Sequence, residues 1–350
     1  MEASSRPFGS VVVPVAAFVV VVAGLKAAEA LLVPIVFALF VAVLAAPVVR
    51  GLTRKRVPAV VAIPLVVSLL LVVLLLFGGL LGRSLNDFVA TIPSYQSRLE
   101  TLLAGAVSSL AERGVELSKE TVLSAIDPGA AMGVISGALT QVASLLSDTM
   151  LVLLTVIFLL FEVAELPRKY RLAVGDPDAD LSRFTDIVAD VKHYIVLKTY
   201  ISMGTGVVVA VALWLLGIDF PVLWGIVAFV LNYVPNVGSI VAALPPVLLA
   251  TVQYGLGRAA VVAAAFVAIN MLIGNLLEPK LLGARLGLST LVVFVSLVLW
   301  GWLWGIPGML LSVPLTMVGK LLLHHSETWR WLAQLMEPLP VGPASPDGRP

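Results

Sequence analysis

The sequence contains no cysteine and little charge, and both absences narrow the kinds of protein it can encode. Without cysteine there is no disulfide, no thiolate nucleophile and no cysteine-ligated metal. Charged residues make up 12% of the 350 residues, about half of the ~25% found in soluble domains. Hydrophobic residues make up 60%, and the formal net charge of +1 provides no basic field for nucleic acid. An integral membrane protein is indicated.

Recognisable catalytic and metal-binding motifs are also missing. The three histidines, His193, His324 and His325, are too few and too scattered to form a metal site. The sequence has no GxxxxGK[ST], HExxH or GxSxG, so ATP-driven pumping and the common intramembrane hydrolase motifs lack support. We therefore expect a protein that is not an enzyme and that uses no cofactor and no bound metal.

Long apolar runs, each close to the ~20 residues that a helix needs to cross a bilayer, divide the chain into five regions. These are N-terminal membrane helices at 1–82, a polar and mainly helical insertion at 83–148, a membrane helix and a cytoplasmic amphipathic helix at 149–200, a broken-helix transport unit at 201–323, and a tail at 324–350. A second apolar stretch directly follows the first, so residues 11–25 are interpreted as a retained anchor rather than a cleaved signal.

A short basic loop sets the expected orientation in the membrane. Arg50, Arg54, Lys55 and Arg56 follow the second apolar run, and the positive-inside rule places such a loop in the cytoplasm. Two spans precede this loop, so the N-terminus is cytoplasmic as well. We expect a multi-pass protein of the inner (plasma) membrane, in contact with lipid, with both termini in the cytoplasm.

Apolar residues recur three or four positions apart in the first part of the insertion, which predicts an amphipathic helix with a narrow apolar seam. The seam could pack on the protein's own membrane domain, on a neighbouring subunit or at the bilayer surface, and the sequence leaves these three contacts open. Its residues are Phe88, Ile92, Tyr95, Leu99, Leu102, Ala106 and Leu110.

Two apolar segments in the last third of the chain contain residues that interrupt a membrane helix. Residues 221–252 include NYVPNVG, and residues 288–323 include WGWLWGIPG. Backbone groups freed by such a break are tolerated in a bilayer only where they are buried in protein or line a wet cavity. A pair of Pro/Gly-interrupted segments in corresponding positions is a pointer to a transport site.

The placement of charges favours two re-entrant hairpins that enter the membrane from opposite sides. If residues 221–252 fold back, Asp219 and Arg258 share the outer face, and Lys280 and Arg285 reach the cytoplasm as the positive-inside rule requires. If the broken segments simply crossed the bilayer, Lys280 and Arg285 would lie outside. The expected fold class is therefore all-α: a polytopic membrane transporter with two Pro/Gly-broken re-entrant helix hairpins in an inverted-repeat arrangement.

Polar and small residues at the two breaks, with two asparagines of the span between them, are the candidate substrate-binding residues. Asparagine amides both donate and accept hydrogen bonds, which suits a polyhydroxylated solute better than a bare ion, and glycine lets the backbone come close. A role for the asparagines as caps of broken helix ends stays open. The candidates are Asn232, Tyr233, Pro235, Asn236, Gly238, Ser239, Asn270, Asn275, Gly301, Gly305 and Gly308.

The span between the two breaks contains two asparagines and ends near a single acid. On an α-helical wheel Asn270 and Asn275 lie about 140° apart, so at most one of them is expected to face a cavity. Glu278 is the only acid between Asp219 and the tail, and is the candidate coupling-ion residue because ionisable groups at membrane depth are functional candidates. An interfacial ion pair between Glu278 and Lys280, or a helix stop with Pro279 as breaker, is the alternative.

Both interrupted segments resemble the markers of the autoinducer-2 exporter family. Residues 277–320, LEPKLLGARLGLSTLVVFVSLVLWGWLWGIPGMLLSVPLTMVGK, are similar to its C-terminal signature, and NYVPNVGSIVAALPP is similar to its other marker. The order of spans along the chain is also similar to that of the family. By this resemblance the family's motif positions are occupied by Pro235, Gly238, Glu278, Pro279, Gly283, Gly301, Gly305, Gly308 and Pro314.

The resemblance implies a secondary transporter. Some family members export autoinducer-2, a small furanose-type diol, others are associated with sodium or lithium/proton antiport, and pentamers are described. The expected function is export of a small polar signal molecule such as autoinducer-2 by alternating access, with a proton or sodium as coupling ion and a homo-oligomeric assembly. Antiport stays open as the alternative, whereas a non-transporting scaffold would leave the two broken helices without a reason.

Overall fold

The computed structural model describes residues 9–112, 133, 137, 149–174, 182–235, 237–282, 287–324 and 329–338. In this described part of the chain every regular element is helical. Among the described residues, six helices are long and apolar enough to cross a membrane, judged by length and composition. The predictions of an all-helical chain and of a multi-pass membrane protein are confirmed.

Up to residue 215, the described residues include five long helices: α1 (Gly9–Ala27), α2 (Glu29–Arg54), α3 (Ala59–Ala111), α4 (Thr149–Val174) and α5 (Ser182–Leu215). Helix α3 has 53 residues, and at 1.5 Å per residue it is about 80 Å long. This is more than twice the ~30 Å thickness of a bilayer's hydrocarbon core. Helix α3 therefore continues without interruption from a predicted span through position 82 into the predicted amphipathic helix.

The second half of the chain contains shorter and interrupted helices. They are α6 (Pro221–Leu231), α7 (Val237–Tyr254), α8 (Leu256–Ile269), a π-helical segment (Asn270–Leu277), α9 (Glu278–Leu282), α10 (Thr290–His324) and α11 (Arg330–Leu335). Helix α10 is interrupted at Trp304 (φ −128°, ψ 18°) and Gly305 (φ 60°, ψ −142°). Both breaks therefore fall within the sequence motifs that predicted them.

The chain reverses direction at each break. At the first, the Tyr254 hydroxyl donates to the Gly217 carbonyl at 2.8 Å, which joins the two ends of the α6–α7 pair. At the second, Lys320 Nζ donates to the Gly287 carbonyl at 2.7 Å, although 33 residues of straight helix would separate them by about 50 Å. We name the α6–α7 pair hairpin 1 and the two arms of α10 hairpin 2.

Two large apolar clusters hold these elements together. One packs α2, α3 and α4 through residues such as Ala38, Val66 and Val156. The other packs α3, α5 and α8 around hairpin 1, with the rings of Phe88 and Trp224 edge to face at 5.4 Å.

The seam of the predicted amphipathic helix faces this second cluster. Phe88, Ile92, Tyr95 and Leu99 all belong to it or pack against it, whereas Leu102 is exposed. The side chains of Ala106 and Leu110 lie outside the described part of the structure. Of the three contacts that the sequence left open, these four residues make the intramolecular one.

Candidate functional site

Helix α5 presents a polar face to the turn of hairpin 1. Asn232 Nδ2 donates to Ser202 Oγ at 2.9 Å, and the Tyr233 hydroxyl donates to Thr199 Oγ1 at 2.7 Å. Ser202 and Thr205 are buried, and their spacing of three residues places them on one face of the helix. The polar side chains at the break are thus paired within the protein rather than left to lipid.

A small cavity lies beside this contact, between α5, both arms of hairpin 1 and the end of α8. Its volume is about 20 Å³, which is room for about one water molecule. All of its lining residues are uncharged, and four of them carry hydrogen-bonding side chains. The lining residues are Thr205, Val209, Ala228, Asn232, Ser239, Ala242, Phe266, Ile269 and Asn270.

Three of the predicted site residues meet at this cavity: Asn232, Ser239 and Asn270. Asn275 is exposed and does not line it, in agreement with the expectation that at most one of Asn270 and Asn275 would. The α-helical wheel behind that expectation does not apply, however, because residues 270–277 form a π-helix. Hydrogen bonds in a π-helix span five residues, so the spacing alone does not separate these two side chains.

The other predicted residues of hairpin 1 shape its turn. Gly238 faces the carbonyl oxygen of Leu231, which a Cβ at position 238 would overlap, and glycine is therefore required for the two arms to approach. The Pro235 carbonyl accepts a hydrogen bond from the Val237 amide at 2.6 Å. The predicted site residue Asn236 lies outside the described residues.

The predicted glycines of hairpin 2 also serve its turn and do not line the cavity. A Cβ on Gly308 would overlap the carbonyl oxygen of Trp300, and one on Gly301 would lie 2.9 Å from the Met309 side chain. Gly305 has φ 60°, in the left-handed region that favours glycine. These three glycines therefore allow the chain to reverse and the arms of hairpin 2 to pack closely.

The turn of hairpin 2 is held by the junction of α1 and α2. Trp304 Nε1 donates to the Leu25 carbonyl at 3.1 Å, and Lys26 Nζ donates to the Trp302 carbonyl at 3.2 Å. Lys26 also lies over the Trp302 ring, 4.4 Å from its centroid, where a cation is attracted by the π system. These contacts fix the turn of hairpin 2 at the end of α1.

The two hairpins contact each other through one apolar cluster. Val234, from the turn of hairpin 1, is buried together with Leu297 and Leu310 of hairpin 2. Phe37 of α2 and Ile306 of hairpin 2 pack against the same cluster. The turn of hairpin 1 therefore lies against hairpin 2, so movement of one changes the packing of the other.

Glu278 forms a buried ion pair with a residue that the sequence interpretation missed. Lys198 Nζ donates to Glu278 Oε1 at 2.5 Å, and the two side chains are 4% and 18% exposed. The alternative of an ion pair with Lys280 is wrong, because Glu278 turns toward α5, whose Lys198 lies 80 residues earlier. Lys198 lies four residues before Ser202 on the polar face of α5, but this spacing does not indicate which element the face contacts.

Comparison with known proteins agrees with the motifs. Residues 15–328 match the model of the AI-2E family transporter. The chain is 39% identical over 329 residues to the AI-2 transport protein TqsA of Escherichia coli (strain K12), covering 94% of this chain and 96% of that protein. It is 36% identical over 339 residues to YhhT of the same organism, covering 97% and 96%, and 36% identical over 318 residues to a transport protein of Haemophilus influenzae, covering 89% and 91%.

The agreement extends over almost the whole chain rather than one motif. The matched range, residues 15–328, spans both interrupted segments and the positions of Lys198 and Glu278. The relatives are named as transport proteins, in keeping with the expectation that this chain is a transporter and not an enzyme. The chain belongs to the AI-2E transporter family.

Proposed function

We propose that the protein is a secondary transporter that exports a small, polar, uncharged signal molecule such as autoinducer-2 by alternating access. The observation that carries this proposal is the convergence of Thr205, Asn232, Ser239 and Asn270 on one cavity with no charged lining residue. Hydroxyl and amide groups that both donate and accept hydrogen bonds suit a hydroxyl-rich solute better than an ion. The relative TqsA, which is named for AI-2 transport, supports the same class of solute.

We further propose that this conformation is closed to the solute, and the small size of the cavity supports this. About 20 Å³ accommodates a water molecule but not a furanose-sized solute. Binding then requires hairpin 1 to move away from α5, which breaks the contacts of Asn232 with Ser202 and of Tyr233 with Thr199. Separation on one side of the membrane and then on the other is the alternating-access step.

We also propose that the hairpins are re-entrant and form an inverted pair, because they contact α5 in opposite order. The turn of hairpin 1 lies at Thr199 and Ser202, and its base lies nearer Leu213. The base of hairpin 2 lies at Tyr194 and Ile195. From its base to its turn, hairpin 1 therefore runs along α5 toward the N-terminal end of that helix. The base of hairpin 2, in contrast, lies nearer the N-terminal end of α5 than the turn of hairpin 1 does. This supports approach from opposite membrane faces, the design that places a solute site near the midplane.

We propose that both termini lie in the cytoplasm and that the protein assembles as a homo-oligomer. The basic loop that contains Arg54, Lys55 and Arg56 lies at the C-terminal end of α2, which supports a cytoplasmic position for that end and for both termini in the inner membrane. The base of hairpin 1 then faces outward. A homo-oligomer, with the pentamer suggested by the family resemblance, is the proposed assembly.

Transport of the solute can be tested in proteoliposomes that contain the purified protein. We expect efflux of labelled autoinducer-2 that is stimulated by an imposed proton gradient. Asn232→Ala and Asn270→Ala each remove an amide from the cavity, and each is expected to reduce efflux about tenfold or more. Asn275→Ala is the matched control, because it makes the same chemical change at an exposed position outside the cavity. Equal losses in all three variants would contradict the proposed site.

Sodium or lithium/proton antiport is the second candidate function, and the buried Lys198–Glu278 pair favours it. Antiport requires a carboxylate for which two cations compete, and Glu278 becomes available when its contact with Lys198 opens. This function predicts proton movement when sodium or lithium is added to proteoliposomes without the solute, and its loss in Glu278→Gln. That result, together with no flux of autoinducer-2, would replace the first proposal.

A further inference from the structure

The base of hairpin 1 is tied to α3 by a hydrogen-bonded cluster of Tyr95, Asp219 and Gln253, which we name the base latch. The Tyr95 hydroxyl donates to Asp219 Oδ2 at 2.6 Å, and Gln253 Nε2 donates to the same carboxylate oxygen. Gln253 Nε2 also lies 3.3 Å from the Tyr95 hydroxyl. Asp219 precedes α6 and Gln253 lies near the end of α7, so one α3 side chain joins both ends of hairpin 1.

An aromatic contact reinforces the latch about two turns away on α3. Phe88 is 1% exposed and Tyr95 is 2% exposed. The Phe88 ring packs edge to face on Phe220, with centroids 5.6 Å apart, and on Trp224. Trp224 Nε1 in turn donates to the Asp219 carbonyl at 3.1 Å. The two ring contacts of Phe88 therefore join α3 to the first residues of hairpin 1.

The chain bends sharply at both ends of hairpin 1. Gly217 (φ 70°) and Phe220 (φ 57°) precede α6, and Gly255 (φ 83°) follows α7. A non-glycine residue in the left-handed region persists only where its surroundings hold it, and Phe88 of α3 packs on the Phe220 ring. Residues at the ends of helices that absorb large changes in φ and ψ are the usual hinges of moving segments.

We propose that hairpin 1 moves as one body about residues 217–220 and Gly255, and that Tyr95 is the positioning residue that latches it closed through Asp219. The close contact of Gly238 with Leu231 keeps the two arms together. Release at the base is therefore transmitted to the turn and separates Asn232 from Ser202. The consequence for flux rests on the proposed transport function, but the movement itself can be measured without any solute.

The chain contains no cysteine, so a thiol reagent modifies only a cysteine that is introduced by substitution. Phe88→Cys places a thiol beneath the base of hairpin 1, and its reaction with a water-soluble maleimide in the detergent-solubilised full chain reports separation from α3. Adding Tyr95→Phe removes only the latching hydroxyl. We expect modification to be about ten- to a hundredfold faster, the effect of losing a hydrogen bond to a charged acceptor.

Tyr254→Phe is the matched control for the labelling experiment. It removes a hydroxyl that donates to the Gly217 carbonyl at the same end of hairpin 1. This hydrogen bond does not involve α3. The rate of maleimide modification should therefore stay within about twofold of the parent rate. Equal rates in the Tyr95→Phe and parent proteins would overturn the latch. If Phe88→Cys does not yield folded protein, Leu99→Cys on the same seam provides the reporter.

A reversible bridge tests whether release is part of transport. Tyr95→Cys and Gln253→Cys are joined by a short bis-methanethiosulfonate, and efflux of autoinducer-2 is measured before bridging, after bridging and after reduction. We expect bridging to stop efflux and reduction to restore it. Efflux at the unbridged rate through the bridged protein would overturn the role of release. If the unbridged protein carries no autoinducer-2, the proposed function fails, and the labelling rates alone decide the latch.

Discussion

Gly238 and Gly308 occupy equivalent positions in the two hairpins. Each faces a backbone carbonyl oxygen of the preceding arm, that of Leu231 or of Trp300, at a distance that leaves no room for a Cβ. Each is followed by a proline, seven residues later in hairpin 1 and six residues later in hairpin 2. This shared chemistry at the two turns supports the proposed inverted repeat.

Gly238→Ala is expected to lower the stability of the protein. The new methyl group would overlap the Leu231 carbonyl, and overpacking that forces backbone shifts costs roughly 1–3 kcal/mol. Gly204→Ala is the matched control, because a Cβ there meets nothing within 4 Å; it should be neutral, or stabilising by up to about 1 kcal/mol through helix propensity. Thermal unfolding in detergent measures both changes. A Gly238→Ala protein as stable as the parent would contradict the contact.

Removing one partner of the Lys198–Glu278 pair is expected to cost more than removing both. Lys198→Met leaves a buried carboxylate without its cation, a change that costs about 3–5 kcal/mol in other buried pairs. Combining it with Glu278→Gln removes that charge and should recover much of the stability. Melting temperatures of the two single variants and the double variant test this coupling. Additive losses would show that the two side chains do not stabilise each other.

Among the elements, the short helix α11 closes the base of hairpin 2. The Ser289 amide donates to the Met336 carbonyl at 2.8 Å, Ala333 is fully buried, and Lys320 Nζ lies 2.8 Å from Glu337 Oε1. Both hairpins are thus fastened at their bases by an element from elsewhere in the chain. Hairpin 1 is fastened to α3, and hairpin 2 to the helix that follows it.

The contact of α11 with hairpin 2 is expected to weaken in acid. The hydrogen bond from Lys320 lowers the pKa of Glu337 below its ordinary value of 4.5. A carboxyl whose pKa is lower in the folded protein adds stability above 4.5 and loses it as the pH falls through the lowered value. The carboxylate is 47% exposed, so solvent screening limits the effect to less than about 1 kcal/mol.

Glu337→Gln provides the comparison for this pH dependence. The parent should melt slightly above the variant at neutral pH, and the difference should disappear well below pH 4.5. Melting curves of both proteins across that range measure it. A difference that is as large in acid as at neutral pH would exclude the carboxylate as its cause.

Periodicity predicted elements better than it predicted their contacts. The seam from Phe88 to Leu99 predicted a helix, and proline and glycine predicted both interruptions, because these signals depend on residues close in sequence. The partner of Glu278 could not be predicted in this way, since Lys198 lies 80 residues away. The π-helix at Asn270 has no comparable signal, and it changes which side chains share a face.

On the scale of the whole molecule, the order of contacts along α5 predicts which loops share a membrane face. Two single cysteines test this prediction. Lys55→Cys introduces a thiol in the basic loop, and Gly257→Cys introduces one in the first turn of α8, at the base of hairpin 1. A membrane-impermeant maleimide should modify the cysteine at position 257 in intact cells, and that at position 55 only after permeabilisation. Modification of position 257 only after permeabilisation would contradict the proposed re-entrant arrangement of hairpin 1.

The candidate site could be predicted only in part. Asn232, Ser239 and Asn270 were found because polar residues are conspicuous in apolar segments, and all three line the cavity. Thr205 and Ser202 were missed because single hydroxyls are common in helices and give no signal until the facing element is known. The latch residues Tyr95 and Asp219 were missed as a pair since 124 residues separate them.

The cavity also bears on how the membrane stays electrically charged. Proton leakage through a protein needs a continuous file of hydrogen-bonded waters across a core about 30 Å thick. A space of about 20 Å³, lined by both apolar and polar side chains, has room for about one water. The cavity alone is too small to hold such a file of waters, so it does not by itself form a proton path across the membrane.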